Sequence, residues 1–514
     1  MKDQVVLRFA PSPTGPLHIG GVRTALYGHF LAQKYKGRYI LRIEDTDRTR
    51  LVPGAEEYII NSLQWMGIEF TEGVHKEGPV GPYRQSDRKA EGIYQKYVDQ
   101  LLASGHAYYA FDTPEELDDM RQRLKEAGSS NLQYNYITRG QMRNSLTLDE
   151  TEVRRLLASG TPHVVRMKMP KREEIRFHDE IRGWVVFHSS QLDDKILLKS
   201  DGMPTYHMAV VVDDHLMGVS HILRGEEWLS STPLHVLLYR SLGWENEIPT
   251  FIHLPLILNP NGKGKMSKRQ GDKLGFSVFP TQWIDPESGA VSSGYREDGY
   301  LREALTNFLA LLGWSPGNNE EVMSEDRMIE LFSTESLNNS ASKFDLDKLK
   351  WFNETYIRNH KPEDLLPLVQ AEYEKAGMEI GNPDFLVKVI ELLQERVTLL
   401  PDFVHLGSYF FSAPVSYDEK MARKRWTHEG SELMGLLSKK LENLSTWEAH
   451  EIQQVFEQLI EEKNVGKGKV LAPLRLALTG VAGGPGVFDI AALIGKEATL
   501  HRIEKAISEL IPQK

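Results

Sequence analysis

Residues 5–9 form a short apolar run. A loop of Pro11, Ser12, Pro13, Thr14, Gly15 and Pro16 follows, and after it the apolar positions Val22, Leu26 and Phe30 fall on one helical face. This change of period predicts a strand, a loop and a helix. The turn at Lys36, Gly37 and Arg38 ends that helix, and residues 39–43 predict a second strand. A β-loop-α-β unit implies parallel strands joined by a right-handed crossover, the start of a nucleotide-binding sheet.

The texture changes between residues 113 and 198. A charged helical stretch at 115–127 is followed by a Gly/Ser/Asn break at 128–131 and by strand-like runs at 163–169 and 184–188. Apolar strand and helix patterns return at 205–212 and 233–242, with a strand at 253–258, so one domain is read as split by an inserted one. Beyond residue 301 amphipathic helical patterns dominate, at 301–312, 384–399 and 452–462. No internal repeat or low-complexity tract interrupts them.

The length of 514 residues calls for several domains, and 40% hydrophobic with 26% charged residues is ordinary for a water-soluble chain. The absence of cysteine excludes disulfides, thiolate metal sites and a thiol nucleophile. Neither a secretory signal nor an apolar run of about 18 residues is present, so a cytoplasmic protein with no membrane partner is expected. A net charge of −11 argues against a general affinity for nucleic acid, and any RNA contact must use local basic faces. Two such clusters are Lys420, Arg423, Lys424 and Arg425, and Lys467, Lys469 and Arg475.

Candidate chemistry sits at two places. His18 and Gly20 lie where the first loop meets its helix, at the carboxyl edge of the expected sheet, where α/β proteins bind ligands. A His at a helix start can donate to phosphate oxygens, and a nearby Gly lets a nucleotide approach the backbone. Alone the pattern is short enough to recur by chance, and a plain helix entry carries most of the weight. Lys265-Met266-Ser267-Lys268-Arg269 follows the 253–258 strand through the turn-prone 259–264 segment. Two lysines around a hydroxyl suit a departing polyphosphate, whereas a solvated charge run is the bland alternative.

Taken in order, each after a strand and separated by an insertion, the two elements resemble the class I aminoacyl-tRNA synthetases. Arg8-Phe-Ala-Pro-Ser12-Pro-Thr-Gly, Ile43-Glu44-Asp45-Thr46-Asp47-Arg48, Gly81-Pro-Tyr-Arg-Gln85-Ser86, Tyr206-His-Met-Ala and Val212-Asp213-Asp214-His215 narrow the resemblance to the bacterial-type glutamyl-tRNA synthetases. It runs from Val5 to the Pro473–Gly480 segment, Pro473-Leu-Arg-Leu-Ala-Leu-Thr-Gly480. The implied fold is multidomain α/β plus all-α. A Rossmann-type catalytic domain at 1–112 and 199–258 is split by an acceptor-stem-binding α/β insertion at 113–198. A basic-loop and stem-contact region at 259–345 and a helical anticodon-binding cage at 346–514, with a break near 410, complete it.

The resemblance implies ATP-dependent ligation of L-glutamate to tRNA(Glu) through glutamyl-adenylate, releasing AMP and pyrophosphate, with Mg²⁺ carried by ATP. Glutamate presents two carboxylates and one ammonium, so its pocket needs planar cations and an anion. At the family's positions Arg8 and Arg224 supply the cations, Glu44 the anion, and Tyr206 and Ser12 hydrogen bonds. Arg224 is expected to choose glutamate over glutamine, since an amide does not offset desolvation of a guanidinium as a carboxylate does. Without the family context, Glu44, Asp45, Asp47 and Arg48 would read as a surface ion-pair cluster. His18, Gly20, Lys265, Ser267 and Lys268 are assigned to catalysis and ATP, Glu227 and Trp228 to the adenosine site, and Arg396, Lys467 and Lys469 to tRNA.

Two departures stand out. Val210, one helical turn after Tyr206, occupies a place where the family usually has an Asn able to bond the amino acid. Relatives that bind zinc in the insertion do so through cysteines, whereas this chain reads Ala110-Phe111-Asp112-Thr113 there, so no structural zinc is expected. The shortened paralog that modifies an anticodon base lacks the helical third, a glutaminyl enzyme is opposed by Arg224, and a non-catalytic RNA scaffold would have no need of His18 and Lys268. A monomer is the family expectation.

Overall fold

The computed structural model describes residues 4–512, except for the side chain of Asp272. It divides into two compact units, Met1–Glu297 with Leu305–Leu346, and Asp298–Ala304 with Asp347–Lys514.

In the first unit β1 (Val6–Phe9) pairs in parallel with β2 (Arg38–Leu41), and β2 with β3 (Glu72–Gly73). The crossover helix Ile19–Lys34 buries Ile19, Val22, Leu26 and Phe30, the face expected from the four-residue spacing. Tyr35, Lys36 and Gly37 close that helix, with Lys36 at a φ of 49°.

β4 (Ala107–Ala110), β5 (Val164–Met167), β6 (Glu174–Asp179), β7 (Gly183–His188) and β8 (Ile196–Leu198) follow, but they serve two sheets. β4, β5 and β8 form an antiparallel sheet of their own, so the inserted fold begins before residue 113. β6 and β7 leave it. They form a hairpin whose β6 runs parallel to β10 (Thr250–Leu254), itself parallel to β9 (His221–Gly225). The expected 113–198 insertion therefore differs from the structure at its start, which lies at β4, and in its interior, where β6 and β7 leave it. The physical reason is the alternation along β6, which turns Ile175, Phe177 and Asp179 inward. Phe177 then packs edge-on to Phe251 at 5.7 Å, and burying such a ring stabilises by about 2 kcal/mol. Ser220 N donates to the Val6 carbonyl at 2.9 Å and joins the β9 side to β1.

The sheet of the insertion is covered by the helix Pro114–Glu126, whose Thr113 and Glu116 form a reciprocal capping box. Asp112 accepts from Arg143 N at 2.7 Å and from the Tyr134 hydroxyl at 3.0 Å, while Arg166 lies 4.1 Å from the Tyr134 ring centre. Among the described residues no group of three or more His, Asp or Glu is disposed to hold a metal ion.

After β10, β11 (Ile257–Leu258) pairs in parallel with Ser342–Lys343, a strand that the sequence pattern did not indicate. The second unit is built from amphipathic helices, with Trp426, Met434, Leu437 and Phe456 fully buried in one core. The helix expected over 384–399 stops at Leu393. Asp402 captures the Thr398 and Leu399 N–H groups, at 2.9 and 2.8 Å, and Pro401 disfavours helical backbone before it. No helix of the described residues is long and apolar enough to cross a membrane.

Candidate active site

Arg8 on β1 and Arg224 on β9 both reach the helix Tyr206–Leu216, and His253 on β10 reaches Arg224. Along that helix Tyr206, Val210 and Asp214 recur every four residues and share a face. Arg8 Nε donates to Asp214 Oδ1 at 3.1 Å, and Arg42 Nη1 donates to the same oxygen at 2.8 Å. Arg42 Nη2 donates to Glu44 Oε1 at 2.8 Å. One residue before Asp214, Asp213 accepts from Arg88 Nε, Gln85 Nε2 and the Tyr94 hydroxyl at 2.6, 2.8 and 2.9 Å. Two buried acids thus hold the arginines of a site that lies above them.

These contacts set the charge states. Burial opposes the charge on Arg42, yet Asp214, Glu44 and Asp213 together push its pKa well up. Burial also opposes the Asp214 carboxylate, and Arg8 and Arg42 bring its pKa below the ordinary value. For Glu44 burial prevails and raises the pKa against the pull of Arg42 and Arg8. Glu44 and Asp45 are both buried, whereas Arg48 is exposed and Asp47 is half-buried and pairs with Arg50 at 2.6 Å. The apparent surface cluster is therefore two things, an internal pair of acids and an external ion pair.

Arg224, on β9, is handled differently. Its Nε donates to His253 Nε2 at 2.9 Å, Nη2 to Thr232 Oγ1 at 2.8 Å and Nη1 to the Tyr206 hydroxyl at 3.0 Å. His235 Nδ1 lies 3.4 Å from Nη1. Burial lowers the pKa of Arg224, and among the described residues no carboxylate contacts it. Arg8, Arg42 and Arg88 are matched by Glu44, Asp213 and Asp214, which leaves Arg224 as a buried cation with neutral partners.

His18 caps the helix Ile19–Lys34, its Nδ1 accepting from Gly20 N at 3.1 Å. A ring nitrogen that accepts carries no proton, so Nε2 is the donor, and it is buried without a partner among the described residues. Burial, with the charge of Lys265, lowers the His18 pKa to about 4 and keeps the ring neutral. A Cβ at Gly20 would meet only the His18 ring, at 3.6 Å. Ser12 is exposed, its carbonyl accepting from Thr14 N at 2.9 Å.

The 265–269 loop is built by Asn259, whose Nδ2 donates to the carbonyls of Lys263, Gly264 and Lys265 at 2.8, 3.2 and 3.3 Å. Gly262 and Gly264 take φ values of 73° and 72°, which a side chain would strain. Met266 is buried and its N–H donates to Ile257 O at 2.9 Å, so the loop is anchored between its two lysines. Lys265 Nζ meets Glu227 Oε1 at 2.7 Å, and Trp228, beside Glu227, lies 4.7 Å from the Tyr206 ring. Lys268 Nζ is 5.9 Å from the Phe279 ring centre and the His18 ring is 6.4 Å from it. The two signature elements, remote in sequence, flank one phenylalanine.

Residues 4–351 match the family model described as tRNA synthetases class I (E and Q), catalytic domain. The chain belongs to that family. Residues 362–507 match the model of an anticodon binding domain. The chain is 48% identical over 512 residues to the glutamate–tRNA ligase of Amoebophilus asiaticus, covering 100% of this chain and 99% of that protein. It is 52% identical over 508 residues to the glutamate–tRNA ligase of Phocaeicola vulgatus, covering 99% of each. A glutamate tRNA ligase of Elizabethkingia meningosepticum, solved in complex with its amino acid, superposes with a TM-score of 0.94 at 47% identity. That similarity covers 99% of this chain and 100% of the other.

In this class I synthetase the residues assigned to tRNA lie in the second unit. Arg396 and Lys467 are exposed, and Lys469 pairs with Glu429 at 2.7 Å. The charge of Arg396 acts on Arg475 and on Tyr409. Arg475 Nη2 donates to Pro485 O at 2.7 Å, while its Nη1 and the Tyr409 hydroxyl are buried without partners among the described residues. Sequence reading placed Arg475 in a basic stretch and did not mark Tyr409. Asp213 and Asp214 were marked only as part of the Val212–His215 segment, without a role, although acids inside an otherwise apolar helix suggest one; Asp179, Thr232 and His253 carry no such signal.

Proposed function

We propose that the chain ligates L-glutamate to tRNA(Glu) with ATP, by way of glutamyl-adenylate. The observation that carries the reading is Arg224, a buried guanidinium bound, among the described residues, only by neutral acceptors. Such a cation favours a carboxylate over an amide of the same shape. Arg8 serves the amino acid's α-carboxylate, Glu44 its ammonium, and Tyr206 and Ser12 add hydrogen bonds. Val210, between Tyr206 and Asp214, lines the same helix face and offers no polar contact.

In the first step the α-carboxylate attacks the α-phosphorus of ATP and pyrophosphate leaves. The neutral His18 donates its Nε2 proton in a hydrogen bond to the α-phosphate, and Gly20 leaves room for the nucleotide. Lys268, with Lys265 and Ser267 beside it, faces the departing pyrophosphate, and Glu227 and Trp228 border the adenosine. Mg²⁺ enters with ATP as part of that substrate. No protein nucleophile takes part, so catalysis rests on positioning and charge stabilisation. In the second step the terminal ribose hydroxyl of the tRNA attacks the activated carbonyl and AMP leaves.

The division of labour follows the sequence expectation, with the β6–β7 hairpin assigned to the catalytic sheet. Arg396 is placed at the anticodon with Arg475 and Tyr409, whose unpartnered polar atoms suit a nucleobase edge; Lys467 and Lys469 suit the backbone. A cytoplasmic monomer belongs to the same reading. Incorporation of labelled glutamate, and separately glutamine, into purified tRNA isoacceptors tests it. Glutamate on the glutamate isoacceptor alone marks a discriminating enzyme, and glutamate also on the glutamine isoacceptor a non-discriminating one. No charging of either by folded protein overturns it.

A further inference from the structure

We propose that Asp179 and His253 are positioning residues that set the preference for a carboxylate side chain, by holding the Arg224 guanidinium through a neutral imidazole instead of through an acid. The inference rests on the reading of Arg224 given above and extends it to residues that do not touch the substrate.

A guanidinium only donates, so His253 Nε2, 2.9 Å from Arg224 Nε, must carry a lone pair. The ring proton is therefore on Nδ1, which faces Asp179 Oδ2 at 2.7 Å. Asp179 is itself immobilised. It also accepts from His253 N at 3.1 Å, from Ile181 N at 3.1 Å and from Arg182 N at 3.0 Å. Both side chains are fully buried, and the register that sets Asp179 opposite Phe251 brings the acid to His253. This gives a chemical reason for the β6–β7 hairpin to join the catalytic sheet: it delivers one carboxylate to the far side of an imidazole.

The interposed ring matters because of what direct contact would do. An acid against Arg224 would form the bidentate pair that a guanidinium favours, and a substrate carboxylate would then have to compete with it. Through the ring, the acid fixes the tautomer and the plane of the guanidinium while leaving the cation without an anionic partner. Thr232 and Tyr206 hold the two Nη atoms in the same neutral manner.

Steady-state aminoacylation by the full-length protein, with purified tRNA(Glu) and either amino acid, tests this in Asp179→Asn, His253→Gln and His253→Asn. In Asp179→Asn an amide must present a donor to one of the donors now facing the acid. The KM for glutamate should rise about ten- to a hundredfold while kcat changes less than about threefold and the KM for ATP less than about twofold. The ratio of kcat/KM for glutamate over glutamine should fall at least about tenfold. His253→Gln reaches Arg224 with its carbonyl and should stay nearer the wild type than His253→Asn, which reaches Asp179 but not Arg224. Unchanged glutamate KM and preference in folded Asp179→Asn, or equal losses in the two His253 variants, overturn the inference. If Asp179→Asn does not fold, the His253 pair decides it alone. A wild-type protein that charges neither amino acid would instead sink the underlying reading, so the two failures are distinct.

Discussion

Lys265 Nζ lies 2.7 Å from Glu227 Oε1, an ion pair that ties the basic loop to the turn carrying Trp228. Both side chains are about half-exposed, at 58% and 42%, and such a pair is worth roughly 0–1 kcal/mol. On the proposed reading it is weak enough to exchange for a phosphate when ATP binds. Glu227→Gln should leave the melting temperature within about 2 °C of the wild type and alter the KM for ATP. A fall of more than about 5 °C on thermal denaturation would show that the pair is a structural latch.

On the proposed reading, Arg224 separates the two amino acids most directly. Arg224→Gln should lower kcat/KM for glutamate by about 100- to 1,000-fold, as loss of a buried charge partner costs on the order of 3–4 kcal/mol. Activity with glutamine should fall much less. Competition between the two amino acids in a single reaction reads the change, and an unaltered preference would remove Arg224 from the role.

Asp214 bridges Arg8 and Arg42, so Asp214→Asn leaves two buried cations short of an anion. A loss of about 3–5 kcal/mol in urea unfolding is expected. The folded Asp214 carboxyl titrates below its ordinary 3.8, so its contribution is complete above that value and is lost as pH falls through the lower, folded pKa. Glu44, raised by burial, has the opposite sign: its folded form holds its proton more tightly and contributes less as pH rises. Unfolding curves followed from about pH 5 down past the ordinary 3.8 should show the wild type losing more stability with acid than Asp214→Asn.

His18 is held neutral with a pKa of about 4, so the acid limb of kcat/KM should not carry a midpoint near 6.5 from this residue. Its lowered pKa also means that folding loses stability as pH falls from the ordinary 6.5 toward 4, because the unfolded ring takes up a proton first. His18→Ala should reduce adenylate formation by about 100- to 1,000-fold, the usual loss of one preorganised donor. Pyrophosphate exchange across pH 5 to 8, a window of about three units around the ordinary histidine value, checks the two expectations on activity, and unfolding curves over the same range check the one on stability.

Val210→Asn would put an amide into the helix face between Tyr206 and Asp214. With no partner it costs about 1–3 kcal/mol in stability, seen as a lower melting temperature. With glutamate as its partner it lowers the KM for glutamate. An unchanged KM in a folded variant would show that the hydrophobic residue costs this enzyme no affinity.

Much of the candidate site was legible because its motifs are local. His18 and Gly20 lie at a strand–loop–helix junction that periodicity alone locates, and the 265–269 loop follows a strand through an Asn-Pro-Asn-Gly turn. Charge roles were harder to read. Glu44, Asp45, Asp47 and Arg48 form one polar run in sequence, yet two are internal and two face solvent, because that depends on where Arg42 and Asp214 lie.

The sequence by itself determined the alternation of strands and helices, the position of the two candidate nucleotide-binding elements and the family to which they belong, since each of these is written in neighbouring residues. Tertiary structure alone decided that the hairpin Glu174–Asp179 and Gly183–His188 joins the catalytic sheet, and that Asp179, His253 and Arg224 form one chain of hydrogen bonds. The reason is physical: those bonds exist only when a strand pairs in one register with a partner more than seventy positions away, and one residue of slippage would turn Asp179 to the opposite face.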